Sequence, residues 1–499
     1  MLRQSFRISF SPESLSFQII VTFLFSVIAG IIILNFSPIR ALGILAAPIL
    51  IFVMLKRPEI ALLGILIATS SFIDESLLPM LTMGGISLHI PDLLLLGSLG
   101  LIIIRWLAEP EFKLVHTPLD LPLIIFYVVT LLASIIAILQ SNLDIQTALR
   151  ETRTLTYYLT FFIVTNLVRE RRQLNLLVEG IIFLSTIVAV LIVAQYLLGD
   201  SAEVLPGYLG SLQSASSVFE GVSRIVPPGR SIVLVSFVSI LCIMVSEKLK
   251  PQEWLKFLQF GLLGLALLFT FLRSYWAVLI LVFILMLYLF RGADKKKLVG
   301  WSLVVALTAV MIFLPIFANI DSPVARLVGA SVDRFNTLFN IGTFQGEDSS
   351  LNWRMIENGY AISTIESHPL LGLGMGFTYR PWDSRIDQPG GDFDFRKFIH
   401  NGHLWILLQS GFLGYFSLMW LSFAFLWRGF KYWRNIENDR LRAIMLGFTL
   451  VYVAVLISAF VNGTFMGWYW TPVIGIVMGV NEVILHSHNQ PNVDTLSKQ

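Results

Sequence analysis

Charge is what this chain has least of. Only 13% of its 499 residues are Asp, Glu, Lys or Arg, where a soluble domain carries roughly 25%. With 56% hydrophobic residues and a mean hydropathy of +0.77, a soluble globular fold is excluded. Alternation of apolar and polar residues is also missing, which excludes a closed transmembrane barrel. Cysteine is nearly absent: Cys242 alone, inside an apolar run, rules out an internal disulfide framework and reads as a small packing residue. A net charge of +3 offers no basic surface for nucleic acid. Ionisable residues avoid the centres of the apolar runs, since Glu59, Asp92, Asp120, Glu179 and Glu482 all lie near their ends. A coupled solute transporter, the competing reading, would more often carry midplane charges or helices broken by Gly and Pro.

What the chain has instead is a series of apolar runs near twenty residues, each about the length a bilayer-spanning helix needs. They fall near 17–36, 40–55, 59–73, 91–108, 119–139, 151–168, 174–198, 230–247, 254–272, 275–290, 298–318, 401–427, 443–461 and 469–485. The expected fold is therefore all-α, a polytopic membrane bundle of about 12–14 helices. The first run, behind Arg3 and Arg7, is too long for a typical signal-peptide core and is expected to be retained. With all the runs counted, the basic loops at Lys56-Arg57, Arg105–Lys113, Arg169–Arg172, Lys248–Lys250, Arg291–Lys297 and Arg428–Arg442 fall on one side. The positive-inside rule makes that side cytoplasmic, with both termini. The layout is then helices over 1–318, an outward loop over 319–400, further helices over 401–486 and a cytoplasmic tail over 487–499. Within the loop, Trp353, Ile356 and Tyr360 share one helical face, away from Arg354, Glu357 and Asn358. That spacing predicts an amphipathic helix that either lies at the outer interface or caps the bundle.

Polar groups capable of chemistry concentrate at the outward ends of the runs. Arg224 and Arg230 flank Pro227-Pro228-Gly229, Arg150 and Arg153 open one run, and Arg273 sits in a two-residue turn between two others. Each arginine alone reads equally well as a headgroup anchor. Arg273, expected to be buried in so short a turn, needs an anionic partner, and a phosphate or pyrophosphate suits its planar fork. His400-Asn401-Gly-His403 opens the next run. A lone histidine is usually structural, whereas this one, with polar neighbours, is a candidate base for a hydroxyl proton. Asn401 would orient it or bind a sugar hydroxyl, and His403 would share its face. Two further patterns carry less. Asp392-Phe-Asp394 is read as a loop coincidence. Gly372, Gly374 and Gly376 are read as a tight turn that brings backbone close to a helix.

The stretch His368-Pro-Leu-Leu-Gly372-Leu-Gly374-Met-Gly376, then His400-Asn401-x-x-Leu404 and Gly411-x-x-Gly414, resembles the signature of the O-antigen ligase and polymerase superfamily, with Leu407 at its middle leucine. Leu272-Arg273-Ser274-Tyr-Trp276 looks like its arginine turn, with Ser and Arg in unusual order, and Arg224-Ile-Val-Pro-Pro-Gly229 like its earlier arginine, with the glycine displaced. The resemblance spans roughly 220–480. It implies a GT-C-like, metal-independent, inverting membrane glycosyltransferase of the bacterial inner membrane. Such an enzyme takes a glycan from a polyprenyl-pyrophosphate carrier, without nucleotide sugar or cofactor, to a glycan or lipid-anchored acceptor at the periplasmic or exterior face. Carried over by position, Arg224 and Arg273 bind the pyrophosphate, Arg230 being the alternative to Arg224, and His400 is the base.

Overall fold

The structure, a computed structural model, describes residues 56–70, 80–83, 86–141, 143–205, 209–211, 223–247, 253–317, 323–336, 349–387 and 394–489. The expected runs at 17–36 and 40–55, Arg3 and Arg7, the Lys248–Lys250 loop, Asp392 and the end of the tail lie outside these residues. The fold is an all-α polytopic bundle. Its helices are α1 (Pro58–Thr69), α2 (Ile90–Ala108), α3 (Asp120–Ser141), α4 (Ile145–Thr156), α5 (Thr160–Leu167), α6 (Arg171–Leu198), α7 (Arg230–Ser246), α8 (Trp254–Phe269), α9 (Arg273–Leu289), α10 (Gly292–Phe317), α11 (Pro323–Asn336), α12 (Ser349–Ser367), α13 (Gly402–Tyr432), α14 (Asp439–Ser458) and α15 (Thr471–Asn489). Two short antiparallel pairs, β1 (Met80–Met83) with β2 (Ile86–His89) and β3 (Leu209–Ser211) with β4 (Ser223–Ile225), are the strands among the described residues.

Local chemistry explains where the helices begin. Pro58 and Pro91 sit in first turns, where a missing N–H costs nothing. Asp92 accepts from the His89 amide at 2.8 Å and Asp120 from the Thr117 amide at 3.0 Å. Asn438 caps α14 through the Leu441 amide.

Among the described residues, five helices are long and apolar enough to cross a membrane, and their burial sorts them. The apolar windows of α2 and α3 are 39% buried and that of α14 is 72% buried, so α14 is central and the other two peripheral. On α3 the residues Leu121, Ile124, Val128, Leu132, Ile135 and Leu139 form an exposed stripe at helical spacing, the face a bilayer would cover. Lipid gives helices no hydrophobic reason to associate, so close packing at small residues does that work. Gly447 of α14 lies against the Ser239 backbone and Cys242 of α7, and Gly475 and Gly479 of α15 lie against Tyr158, Phe161 and Val164 beside and in α5. Cys242 is fully buried at that crossing.

Two expected spans are not continuous helices. The run at 151–168 divides into α4 and α5 around a 3-10 turn at Tyr157–Leu159. Threonine hydroxyls bond back to carbonyls there: Thr156 to Arg153 and Thr160 to Tyr157 and Pro472. Arg153, one of the polar groups expected at the outward ends of the runs, pairs with buried Asp92 at 2.8 Å, which also accepts from Tyr157.

The run at 401–427 is broken at Gly411, whose φ of 62° and ψ of −166° interrupt α13. The glycine turn 369–376 docks into the break. Leu373 and Gly374 amides donate to the Leu408 and Gln409 carbonyls (2.7 and 3.0 Å), while Phe412 and Leu413 amides donate to Pro369 and Leu370 (2.8 and 3.2 Å). A Cβ on Gly372 would lie 2.5 Å from the Leu408 oxygen, one on Gly374 2.6 Å from Ala137 of α3, and one on Gly376 3.0 Å from Thr147 of α4. The glycines thus serve three helix contacts, and the short segment 402–410 is held at an angle to the rest of α13.

The helix expected around Trp353 forms as α12, but with a different face inward. Its buried stripe is Glu357, Ala361 and Ile365, while Met355 and Ile362 are exposed. A carboxylate heads the buried face, so the helix is not an apolar-face-down amphipath. The pairs Arg428–Glu482 and Arg440–Glu179, the Lys297 bond to Val245 and the Arg169 bond to Lys113 gather at one end of the bundle. The polar groups described next gather at the other.

Candidate active site

His400 is placed by the start of α13. Asn401 is the N-cap residue, its Oδ1 accepting from the amides of His403 (3.1 Å) and Leu404 (3.2 Å). The Gly402 amide donates to Ala459 and Asn462 carbonyls at 2.7 and 3.1 Å, which docks the helix start on the end of α14. The His400 imidazole then meets α12. Its Nδ1 lies 2.9 Å from Glu357 Oε2, and its own amide donates to the same oxygen at 3.2 Å. Trp353 and Phe398 approach the ring edge-on, with centroids 6.0 and 4.9 Å away. The Glu357 side chain is wholly buried, and 30% of the His400 side chain stays exposed.

Beside this pair is a concentration of positive charge. Burial, and then the guanidiniums of Arg334, Arg230, Arg354 and Arg273, push Arg224 down to about 10. These arginines come from separate elements, each with its own anchor. Arg224 stands on β4 opposite Gly210, and its Nε donates to the Thr270 carbonyl at 3.2 Å. Arg230 opens α7; its guanidinium donates to Val226, Pro227 and the Tyr469 hydroxyl and lies 4.4 Å over the Tyr469 ring. Arg273 opens α9 after a turn in which Phe271 takes a φ of 48°. A left-handed phenylalanine costs about 1–2 kcal/mol, offset here by its complete burial against Ala330, Leu327, Tyr196 and Trp276. Arg334 closes α11 and Arg354 lies in the second turn of α12. The N-terminal, dipole-positive ends of α7 and α9 carry Arg230 and Arg273 themselves, which adds to the field an anion would meet.

Two links join the segment that carries the histidine to elements that carry the arginines. Asn462 accepts from the Gly402 amide through its carbonyl and donates through Nδ2 to Ser274 Oγ at 3.0 Å. It thereby ties the residue after Arg273 to the segment that carries His400. In α12, Arg354 and Glu357 are three residues apart, hence on one face and about one turn from each other. The arrangement can hold a multiply charged anion beside an imidazole whose partner on α12, Glu357, is wholly buried.

The structure brings Arg224, Arg230, Arg273 and His400 together at one end of the bundle. It gives Asn401 the work of a helix cap. His403 is turned inward: its Nε2 donates to the Leu456 carbonyl at 3.0 Å, Tyr415 lies 3.2 Å from Nδ1, and Phe460 and Phe465 pack on the ring. Asp394 is engaged by Arg396. Sequence reasoning missed Arg334 and Arg354 as members of the cluster and Glu357 as the partner of His400. One signal for Glu357 was available, a single carboxylate on the stripe that continues through Ala361 and Ile365.

Residues 258–419 match the O-antigen ligase family model. The matched segment runs from α8 to the middle of α13 and contains Arg273, Arg334, Arg354, Glu357, His400 and both glycines of the Gly411-x-x-Gly414 pattern. No curated protein matches the chain.

Proposed function

From the premise that the chain carries an O-antigen ligase domain and is a polytopic membrane protein, we propose that it transfers a glycan from a polyprenyl diphosphate to an acceptor hydroxyl. One observation carries this reading: Arg224 is half-buried among guanidiniums, one of which, Arg354, shares α12 with the Glu357 that meets the imidazole of His400. Gathering like charges is unfavourable unless an anion joins them, and a diphosphate is the anion whose departure needs them most. Arg224 and Arg273, with Arg334 and Arg354, hold the diphosphate. Arg230, with three protein acceptors and an aromatic ring to itself, supports the cluster from behind. His400 takes the acceptor proton on Nε2. The acceptor oxygen bonds to the anomeric carbon from the face opposite the diphosphate. The bond from that carbon to the phosphate oxygen breaks, and its electron pair leaves on the diphosphate, inverting the configuration. Guanidiniums take the charge-neutralising role a divalent cation has elsewhere. Asn401 and His403 shape the segment that presents His400.

The site faces the periplasm or exterior in this reading, with the chain in a bacterial inner membrane, because the opposite end of the bundle carries Arg105, Lys113, Arg169, Lys297, Arg428 and Arg440. Reconstitution with a lipid-linked oligosaccharide and a hydroxyl acceptor tests it. Transfer is expected from the parent protein and none from His400→Ala or Arg273→Ala. Undiminished transfer by both variants would overturn the assignment.

A further inference from the structure

We infer that Glu357 is the positioning residue that holds His400 with its proton on Nδ1 and its lone pair on Nε2. The inference rests on the reading of His400 as the base and adds what makes that base competent. One carboxylate oxygen, Oε2, takes both the His400 main-chain amide and ring Nδ1. Two bonds to a single oxygen define the ring's position and its rotation together. An ionised carboxylate only accepts, so Nδ1 must be the donor and Nε2 is left unprotonated for the acceptor hydroxyl.

A purely structural role does not account for this residue. Glu357 is fully buried, and its second oxygen, Oε1, has no hydrogen-bond partner among the described residues. A buried carboxylate with half its capacity unused is an expensive way to fill space. Its charge has a use only when His400 is protonated. As the acceptor O–H bond breaks, its proton moves to Nε2 and the ring becomes an imidazolium bonded to Glu357, which itself lies about one helical turn from Arg354. The Nδ1 proton stays in its bond to Glu357, whose negative charge offsets the new positive one. Glu357 itself gains no proton. The same turn of α12 thus sends a cation to the leaving group and an anion to the base. Trp353, one turn before Glu357, closes the edge of the imidazole against tilting.

Glu357→Gln tests the idea, since it keeps the size of the side chain and removes its charge. In the reconstituted transfer reaction kcat is expected to fall about 10²–10³-fold, the range of a misdirected general base, with KM for the lipid donor changed less than about three-fold. A histidine-selective 15N spectrum of the unmodified protein, with His400→Ala assigning the signals, is expected to show His400 protonated on Nδ1 when neutral. Parental kcat in Glu357→Gln, or a His400 ring protonated on Nε2 in the unmodified protein, would overturn the inference. The spectrum needs no variant, so poor folding of Glu357→Gln does not protect the idea. If His400→Ala itself transfers at full rate, the base reading falls first. If His400→Ala is inactive and Glu357→Gln is fully active, only the positioning role falls.

Discussion

Replacing Gly411 by alanine should disconnect the site from its support without touching any site residue. Gly411 has a φ of 62° and a ψ of −166°, a combination close to glycine-only, and holding alanine there costs about 1–3 kcal/mol. The added Cβ would also overlap the Leu370 carbonyl. Relieving that overlap means withdrawing the glycine turn, and the turn holds four backbone hydrogen bonds with Leu408, Gln409, Phe412 and Leu413. At about 0.5–1.5 kcal/mol net for each, losing half of them adds about 1–3 kcal/mol. The total destabilisation is therefore about 2–6 kcal/mol. The alternative response, straightening of α13, would swing residues 402–410 and His400 away from Glu357. Gly261→Ala is the control. Gly261 in α8 has no positive φ, and a new Cβ there meets nothing within 4 Å, so alanine gains up to about 1 kcal/mol over glycine within the helix. Thermal unfolding in detergent should show Gly411→Ala lowered by roughly 5 °C or more and Gly261→Ala at or slightly above the parent, with transfer lost only in the first. A Gly411→Ala protein as stable and active as the parent would refute the reasoning.

Other perturbations separate charge from geometry. Arg273→Lys keeps the charge but not the two-pronged fork, so donor affinity should fall about 10-fold or more in a binding assay, since charge-assisted bonds are worth about 1.5–3 kcal/mol. Asp387 is held below its ordinary carboxylate range by the paired bond from buried Arg380; its contribution is present above the ordinary value and lost as pH falls through the lower folded one. Limited proteolysis of the 379–399 segment should therefore accelerate below about pH 4, and Arg380→Ala should bring the same loosening to neutral pH. Buried Cys242 leaves little background for labelling, so a membrane-impermeant maleimide should modify Trp382→Cys but not Glu437→Cys in intact cells.

The apolar runs were legible because hydropathy reads length and composition, which is all that a span requires. Hydropathy does not read backbone angle. The break at Gly411 sits in an unbroken apolar run, and so does the turn at Tyr157–Leu159. The first appears only when the glycine turn is in place to pair with the freed backbone groups, and at the second the Thr160 hydroxyl donates to the Pro472 carbonyl, 312 residues away. Arg273 and His400 were conspicuous because each is polar at the edge of an apolar run. Arg334 and Arg354 lie in a loop of mixed charge where nothing singles them out, Glu357 is marked there only by sharing a stripe with Ala361 and Ile365, and the importance of all three is a property of contacts far along the chain. Glu357 is 43 residues from His400. Its helical face was misjudged because the aromatic residues of α12 suggested an inward side that the carboxylate in fact occupies.

The arginine cluster carries a pH signature of its own. Arg224, at about 10, lies below the ordinary guanidinium value of roughly 12.5. At neutral pH it is charged whether the chain is folded or not, so stability there does not depend on its titration. Above about pH 10 the folded, ligand-free protein gives up this proton before the unfolded chain does, so the repulsion is relieved and the ligand-free fold gains stability as pH rises. A bound diphosphate acts in the opposite sense, because an anion among the guanidiniums favours the charged form. Binding above about pH 10 must therefore take up a proton, and affinity must fall as that proton becomes scarce. At pH 10.5 roughly a quarter of Arg224 remains charged, so affinity for a polyprenyl diphosphate should be about four-fold weaker than at pH 8. Thermal-shift titrations at the two pH values measure this. Arg224→Gln should bind more weakly at pH 8 and lose that four-fold component, which separates Arg224 from lysines titrating nearby. An affinity that is flat from pH 8 to 10.5, or a pH dependence unchanged in Arg224→Gln, would mean that Arg224 is not in the charge cluster the anion enters.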